Sequence, residues 1–407
     1  MSPLSNRICF SDEQAMLLDS ASAFCRQHAG SQAVRARIAT DDGFERSLWR
    51  EMVQLGWLGL AVPERFGGSG LSVADTAAIA EPMGRHLLAT PFASTQLYIQ
   101  GLLAGGSEAQ QAHGLPRAAE GAIGTVALFE DDGDWSLQQP QAQARRAGDR
   151  LQLEGTKVLV PDAGVADLLL VSVQHDGAPA LVLLTAMDLP AAALARETVI
   201  DETRRSWRLC LDGVAVAADA LITGPSAQQA LRAIRDAAWL LAAAEATGGV
   251  AGVLAVMVDY LNTRSTFGRK IGSYQALKHT CADILCNLER SRSHVYHAAT
   301  LLADGDDADD AETALRMAKA EAGDTLVHAG DRAVQFHGGF GFTYDCDAQL
   351  YLRRGLWLQP WFGDSAHHRR VLAERLLGGA AQASAAGSPT SGTSPSANWP
   401  SSTRRPL

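Results

Sequence analysis

The chain has 407 residues and a formal net charge of -10 with no basic stripe, which argues against binding to a phosphate backbone. Its 47% hydrophobic and 20% charged residues give an ordinary globular balance, and its length can bury two or three domains or layers. The six cysteines (Cys9, Cys25, Cys210, Cys281, Cys286 and Cys346) form no CxxC pair and no zinc spacing, so they read as reduced thiols of a cytoplasmic, metal-free protein.

Residues 1–120 read as a helical domain. The N-terminus has no basic region followed by an apolar run, so no signal peptide is expected. Ser11-Asp12-Glu13 is a capping start, and a Gly/Pro-rich loop over 56–70 precedes the helix expected at 71–85. From 121 to 225 the period shortens, and an antiparallel β domain is expected, with strands at 125–129, 151–154, 157–160, 167–173, 180–184 and 207–211. Residues 226–380 return to helical spacing as a bundle. The run 237–258 is long enough for a bilayer, but Glu245 near its middle is costly in lipid. It reads as a buried core helix, and no membrane span is expected. The acidic run 304–310 lacks the spacing and closing Glu of a calcium loop and reads as a solvated connection. Beyond Gly378 the composition cannot bury a core, so 381–407 is expected to be a disordered tail.

Two clusters carry the strongest signal. Arg264-Ser265-Thr266-Phe267-Gly268-Arg269-Lys270-Ile271 leads to Gln275, His279 and Asp283, which share one helix face. Later comes Gln335-Phe336-His337-Gly338-Gly339-Phe340-Gly341-Phe342-Thr343. Order and spacing resemble the acyl-CoA dehydrogenase family, whose signatures are Arg-x-x-Phe-Gly, then Gln and Ala-Asp, then Gln-x-x-Gly-Gly. The resemblance covers about residues 10–380 and includes Pro91-Phe92-Ala93-Ser94-Thr95 and Gly155-Thr156-Lys157.

The resemblance implies an α+β fold: an N-terminal helical domain, a middle antiparallel β domain and a C-terminal four-helix bundle. It implies FAD between the β domain and the bundle, an acyl-CoA substrate desaturated at its α,β carbons by hydride transfer to flavin N5, and an electron-transfer flavoprotein as acceptor. Arg264, Phe267, Gly268, Gln335, Gly338 and Gly339 would reach the FAD of a neighbouring subunit, a guanidinium suiting a pyrophosphate and glycines admitting the ADP part. Helix capping and bundle packing are the structural alternative. A homo- or hetero-oligomer with a paralogous subunit follows.

Three departures from the family pattern stand out. Where a catalytic Glu is followed by Gly-Thr, this chain reads Trp361-Phe362-Gly363-Asp364, so Phe362 or Gly363 replaces the base. The Trp and Thr that lie against the flavin become part of Leu159-Val160-Pro161-Asp162. The Thr-Glu-Pro-x-Ala-Gly-Ser run becomes Phe129-Glu130-Asp131-Asp132-Gly133-Asp134. These changes resemble a bacterial branch whose members often work as unlike subunits, including enzymes on steroid-derived acyl-CoAs.

Two carboxylates are candidates for the base. Glu245 stands alone in an apolar helix, where burial would raise its pKa; a buried ion pair is the alternative. Some relatives carry the base two turns earlier on this helix, at the position of Ala238. Asp364 lies beside the lost Glu; a helix N-cap is the alternative. His367 and His368 are adjacent and point apart, which disfavours a metal site. Two functional readings remain: a catalytic acyl-CoA dehydrogenase subunit, or a non-catalytic partner that completes another chain's FAD site.

Overall fold

The computed structural model describes residues 12–305 and 307–386, with side chains through Leu377. The expectations about the N-terminal leader and Ser11 fall outside the described residues.

Six helices open the fold: α1 (Asp12–His28), α2 (Ser31–Ile38), α3 (Arg46–Gln54), α4 (Val73–Arg85), α5 (Phe92–Gly105) and α6 (Glu108–Ala119). The start of α4 is fixed by a capping box. Ser72 Oγ accepts from Ala74 N at 3.1 Å, and Asp75 Oδ2 accepts from Ser72 N at 2.8 Å.

The middle region holds β1 (Gly124–Ala127), β2 (Gln143–Ala147), β3 (Arg150–Glu154), β4 (Thr156–Pro161), β5 (Leu168–His175), β6 (Ala178–Thr185), β7 (Leu194–Glu197), β8 (Ser206–Cys210), β9 (Ala215–Ala217) and β10 (Leu221–Ile222). One sheet runs β10-β6-β5-β2-β3-β9 with β1 also on β5; a second runs β4-β8-β7. Most pairs are antiparallel as expected, but β1 lies parallel to β5, from Gly124↔Leu168 to Ala127↔Val171. The reason is connection length, since β1 and β5 are joined by the whole β2–β4 excursion rather than by a hairpin. The strand β2 escapes period-2 reading because Gln143-Ala144-Arg145-Arg146-Ala147 buries Ala144 alone.

The last region starts with α7 (Gly224–Thr263), a rod of 40 residues. A small hairpin of β11 (Ser265–Thr266) and β12 (Arg269–Lys270) follows, then α8 (Gln275–Asp304), α9 (Ala308–His337), α10 (Ala348–Leu358) and α11 (Ser365–Ala386). Residues 237–250 of α7 are buried without a break, which is why a core helix carries a membrane-like composition. Glycines let α4 cross α7 at backbone contact: a Cβ on Gly84 would lie 1.9 Å from the Glu245 carbonyl oxygen, and one on Gly248 would lie 1.7 Å from that of Glu81. Within the acidic connection, Asp307 caps α9 through the amides of Asp309 and Asp310. Regular helix continues in α11 to Ala386; the rest of the predicted tail lies outside the described residues.

Candidate functional site

The hairpin after α7 is built to present side chains rather than bury them. Ser265 pairs with Lys270 and Thr266 with Arg269. The two loop residues, Phe267 and Gly268, have φ of 51° and 77°. Positive φ at both central positions is the turn geometry that matches strand twist. Ile271 N donates to Arg264 O at 2.9 Å, and Lys270 Nζ donates to Thr263 O at 2.6 Å, so the frame is rigid. Arg264 and Gly268 are exposed, and Phe267 is 96% exposed, which no folding force within the chain explains.

The Gly-Gly turn lies at the same end of the molecule. The buried His337 closes α9, with its ring stacked on Tyr260 of α7 at a centroid distance of 4.1 Å, and its Nδ1 lies 2.7 Å from Ala333 O. That stack ties the turn to the base of the hairpin. Gly338 takes φ 62° and ψ -142°, a conformation suited to glycine. A Cβ on Gly268, Gly338 or Gly339 would meet open space, and Gln335 is exposed beside them. Arg264, Phe267, Gly268, Gln335, Gly338 and Gly339 are thus all exposed, and the Tyr260–His337 stack holds their two turns at one end of the molecule.

The three departures from the family pattern also meet in space, but inward. The ring of Phe129 packs edge-to-face on that of Phe362, with centroids 4.8 Å apart, and both are buried. Phe129 bridges Val158 of β4, where the register shifts and Leu159 takes φ 53°. Lys157 Nζ, buried, donates to Glu130 at 2.7 Å and to Ser172 Oγ at 2.9 Å, while Glu130 also accepts from the amides of Gln141 and Ala142. The 360–364 loop is held as firmly. Trp239 Nε1 donates to Phe362 O at 2.7 Å, and Lys319 Nζ donates to Gln359 O at 2.9 Å and Gly363 O at 3.0 Å. Burial pushes the Lys319 ammonium down to about 7, against the opposing pull of Asp364 and Asp324.

The two candidate bases have other partners. Glu245 is buried between the guanidiniums of Arg354 and Arg204. Arg354, itself fully buried, also binds Asp201 and Thr203 Oγ1. Asp364 Oδ1 accepts from His367 N at 2.7 Å at the start of α11. Arg354, Arg204 and Asp201 escape sequence reading. The available signal is an arginine pair within the apolar segment Leu350-Tyr351-Leu352-Arg353-Arg354-Gly355-Leu356, where only helical phase tells which one turns inward. Among the described residues, no His/Cys/Asp/Glu group could hold a metal ion.

Residues 11–122 match the acyl-CoA dehydrogenase N-terminal domain, and residues 228–377 match the C-terminal domain. The chain belongs to the acyl-CoA dehydrogenase family. Acyl-CoA dehydrogenase IpdE2 of Mycobacterium tuberculosis is 31% identical over 348 residues, covering 84% of this chain and 91% of that protein. The Tcur3481–Tcur3483 steroid ACAD superposes with a TM-score of 0.81 at 29% identity, over 91% of this chain and 99% of that one. The ChsE4–ChsE5 complex from Mycobacterium tuberculosis gives a TM-score of 0.82 at 25% identity, over 94% and 100%.

Members of this family are flavin-dependent oxidoreductases of acyl-CoA, and the residues here fit a flavin in one half only. The outward surface is open at its three glycines and offers an unburied guanidinium, as a cofactor's pyrophosphate and ADP part require. The inward seat does not fit. Phe129 and Phe362, each at a departure from the family pattern, are packed against each other, and Pro161 has no amide hydrogen to donate.

Proposed function

We propose that this chain is the flavin-completing subunit of a heteromeric acyl-CoA dehydrogenase. Its partner, a paralogous chain, holds the isoalloxazine and the catalytic base. This chain contributes Arg264, Phe267 and Gly268 from the hairpin, and Gln335, Gly338 and Gly339 from the turn, to the FAD bound there. The observation that carries the reading is the contrast between the open outward surface and the aromatic pair filling the inward seat.

Each residue has a task set by its chemistry. The Arg264 guanidinium pairs with phosphate oxygens, Phe267 packs on an apolar part of the cofactor, and the glycines let it approach backbone. A flavin held there would supply acceptance of a hydride from the acyl β carbon, with the α proton going to the partner's base and the electrons passing on to an electron-transfer flavoprotein. Glu245 and Asp364 are read as structural, one in an ion-pair cluster and one as a helix cap. The similar Tcur3481–Tcur3483 and ChsE4–ChsE5 proteins, each named for two components, support assembly from unlike chains.

The test is the flavin-to-protein ratio of the chain purified alone and with its coexpressed paralogue. The reading expects a colourless chain alone and a yellow complex with about one flavin per pair of unlike chains. A yellow homo-oligomer with a full flavin complement would favour the catalytic reading instead.

A further inference from the structure

Where the corner between α5 and α6 meets the rim of the larger sheet, there is a cavity of about 380 Å³. Pockets of this size hold small organic molecules. Tyr98 of α5, Ala109 of α6, Leu168 of β5, Leu183 and Leu184 of β6, and Ala220 give it mostly apolar walls. No lining residue belongs to the hairpin, the Gly-Gly turn or the loop at 360–364.

The polar side chains of the rim are largely spent on the chain itself. Gln110 Nε2 donates to Asp219 O at 2.7 Å, its Oε1 accepts from Ser107 N at 2.8 Å, and Thr185 Oγ1 donates to Asp188 at 2.7 Å. Tyr98 differs. It is only 2% exposed, yet its hydroxyl has no hydrogen-bond partner among the described residues. A buried phenol normally finds one. Gly114 keeps that hydroxyl uncovered, since a Cβ there would lie 2.6 Å from its oxygen. An unspent, buried donor on the wall of an apolar cavity calls for an acceptor that the chain does not supply.

Charge narrows the class of ligand. Burial raises the Tyr98 phenol above its ordinary range, against the pull of Arg117, so it stays a protonated donor. Asp219, an exposed carboxylate on the rim, disfavours an anion. The walls offer a cation no buried counter-charge.

We propose that this cavity binds a small, neutral, largely apolar ketone whose carbonyl oxygen accepts from the Tyr98 hydroxyl. The proposal does not depend on which chain holds the flavin or the base.

The test is a saturation-transfer NMR titration of the native complex with 1-tetralone and with tetralin, its counterpart without the oxygen. Both should bind wild type saturably. Tyr98→Phe should weaken 1-tetralone about fivefold, the worth of one hydrogen bond, and leave tetralin unchanged. The same variant should keep the wild-type melting temperature, because the hydroxyl it removes serves no other residue. Ala109→Trp, at an exposed position on the wall, should weaken both compounds by about tenfold or more, since the indole fills the space they need. Absence of saturable 1-tetralone binding overturns the site, and so does binding that survives Ala109→Trp. An equal response of the two compounds to Tyr98→Phe removes the hydroxyl from recognition and overturns the ketone assignment. A fall in melting temperature in Tyr98→Phe would show that the hydroxyl already has a partner, with the same result.

Discussion

Phe129 and Phe362 meet edge-to-face with ring planes 70° apart, one from the β domain and one from the loop before α11. The contact joins the β domain to the loop before α11, and on the proposed reading it closes this chain's own flavin seat. Its loss has a definite cost. Phe362→Ala should destabilise the chain by about 3–5 kcal/mol, the usual range for a buried Phe, while leaving the flavin content of the complex unchanged. Denaturant titration alongside flavin absorbance separates the two effects. A drop in bound flavin with unaltered stability would contradict the plugged-seat reading.

Arg264→Ala and Gly338→Val should each lower flavin retention by the complex. The first removes a phosphate partner. The second strains a backbone at φ 62° and places a branched side chain on the open surface. Arg264→Ala should leave the melting temperature of the isolated chain unchanged, since Arg264 is exposed there. Dialysis against increasing salt, followed by absorbance of the retained flavin, reads the effect. Retention equal to wild type in both variants would remove these residues from the cofactor site.

Glu245→Gln should act on stability rather than selectively on rate. The amide keeps the shape but leaves Arg354 and Arg204 short of a buried counter-charge, a loss of about 3–5 kcal/mol. Rapid-mixing absorbance of flavin bleaching by acyl-CoA is the complementary measurement. A complex that stays as stable as wild type yet loses a hundredfold or more in bleaching rate would make Glu245 the base after all.

Asp364→Ala should cost about 1 kcal/mol, the value of a lost helix N-cap, with little change in bleaching rate. Asp364→Asn should recover most of that stability, because an amide oxygen can still accept from His367 N.

His368 should make the fold acid-labile. Burial, with Lys319, Arg316 and His367 nearby, pushes its pKa from 6.5 down to about 2. The unfolded chain therefore takes up a proton that the folded chain refuses as pH falls below 6.5, and stability declines at up to about 1.4 kcal/mol per unit. Above that value the contribution is complete. Urea midpoints measured from about pH 7.5 down to about pH 5 should fall in wild type and flatten in His368→Gln.

The order of three regions was legible because hydrophobic period changes are local. The two motif clusters were legible because their residues stand close together in fixed order, whereas the hairpin that one of them forms was not. Contacts between distant segments were not. Nothing near Phe129 names Phe362 as its partner, and nothing near Glu245 names Arg354. The parallel placement of β1 beside β5 was hidden for the same reason, since pairing direction depends on the path between strands. Polar strands such as β2 gave no alternation to read. In each case the missing information was tertiary, and local chemistry offered two answers of similar merit.

The outward aromatic surface has a consequence for the chain before it finds its partner. On the proposed reading, an unpartnered copy with Phe267 and Phe342 facing water carries the kind of apolar display that quality-control chaperones and proteases recognise. Its cellular abundance should follow the supply of its paralogue rather than its own rate of synthesis. Matched expression of the two genes would then be a requirement imposed by an aromatic side chain at a hairpin tip.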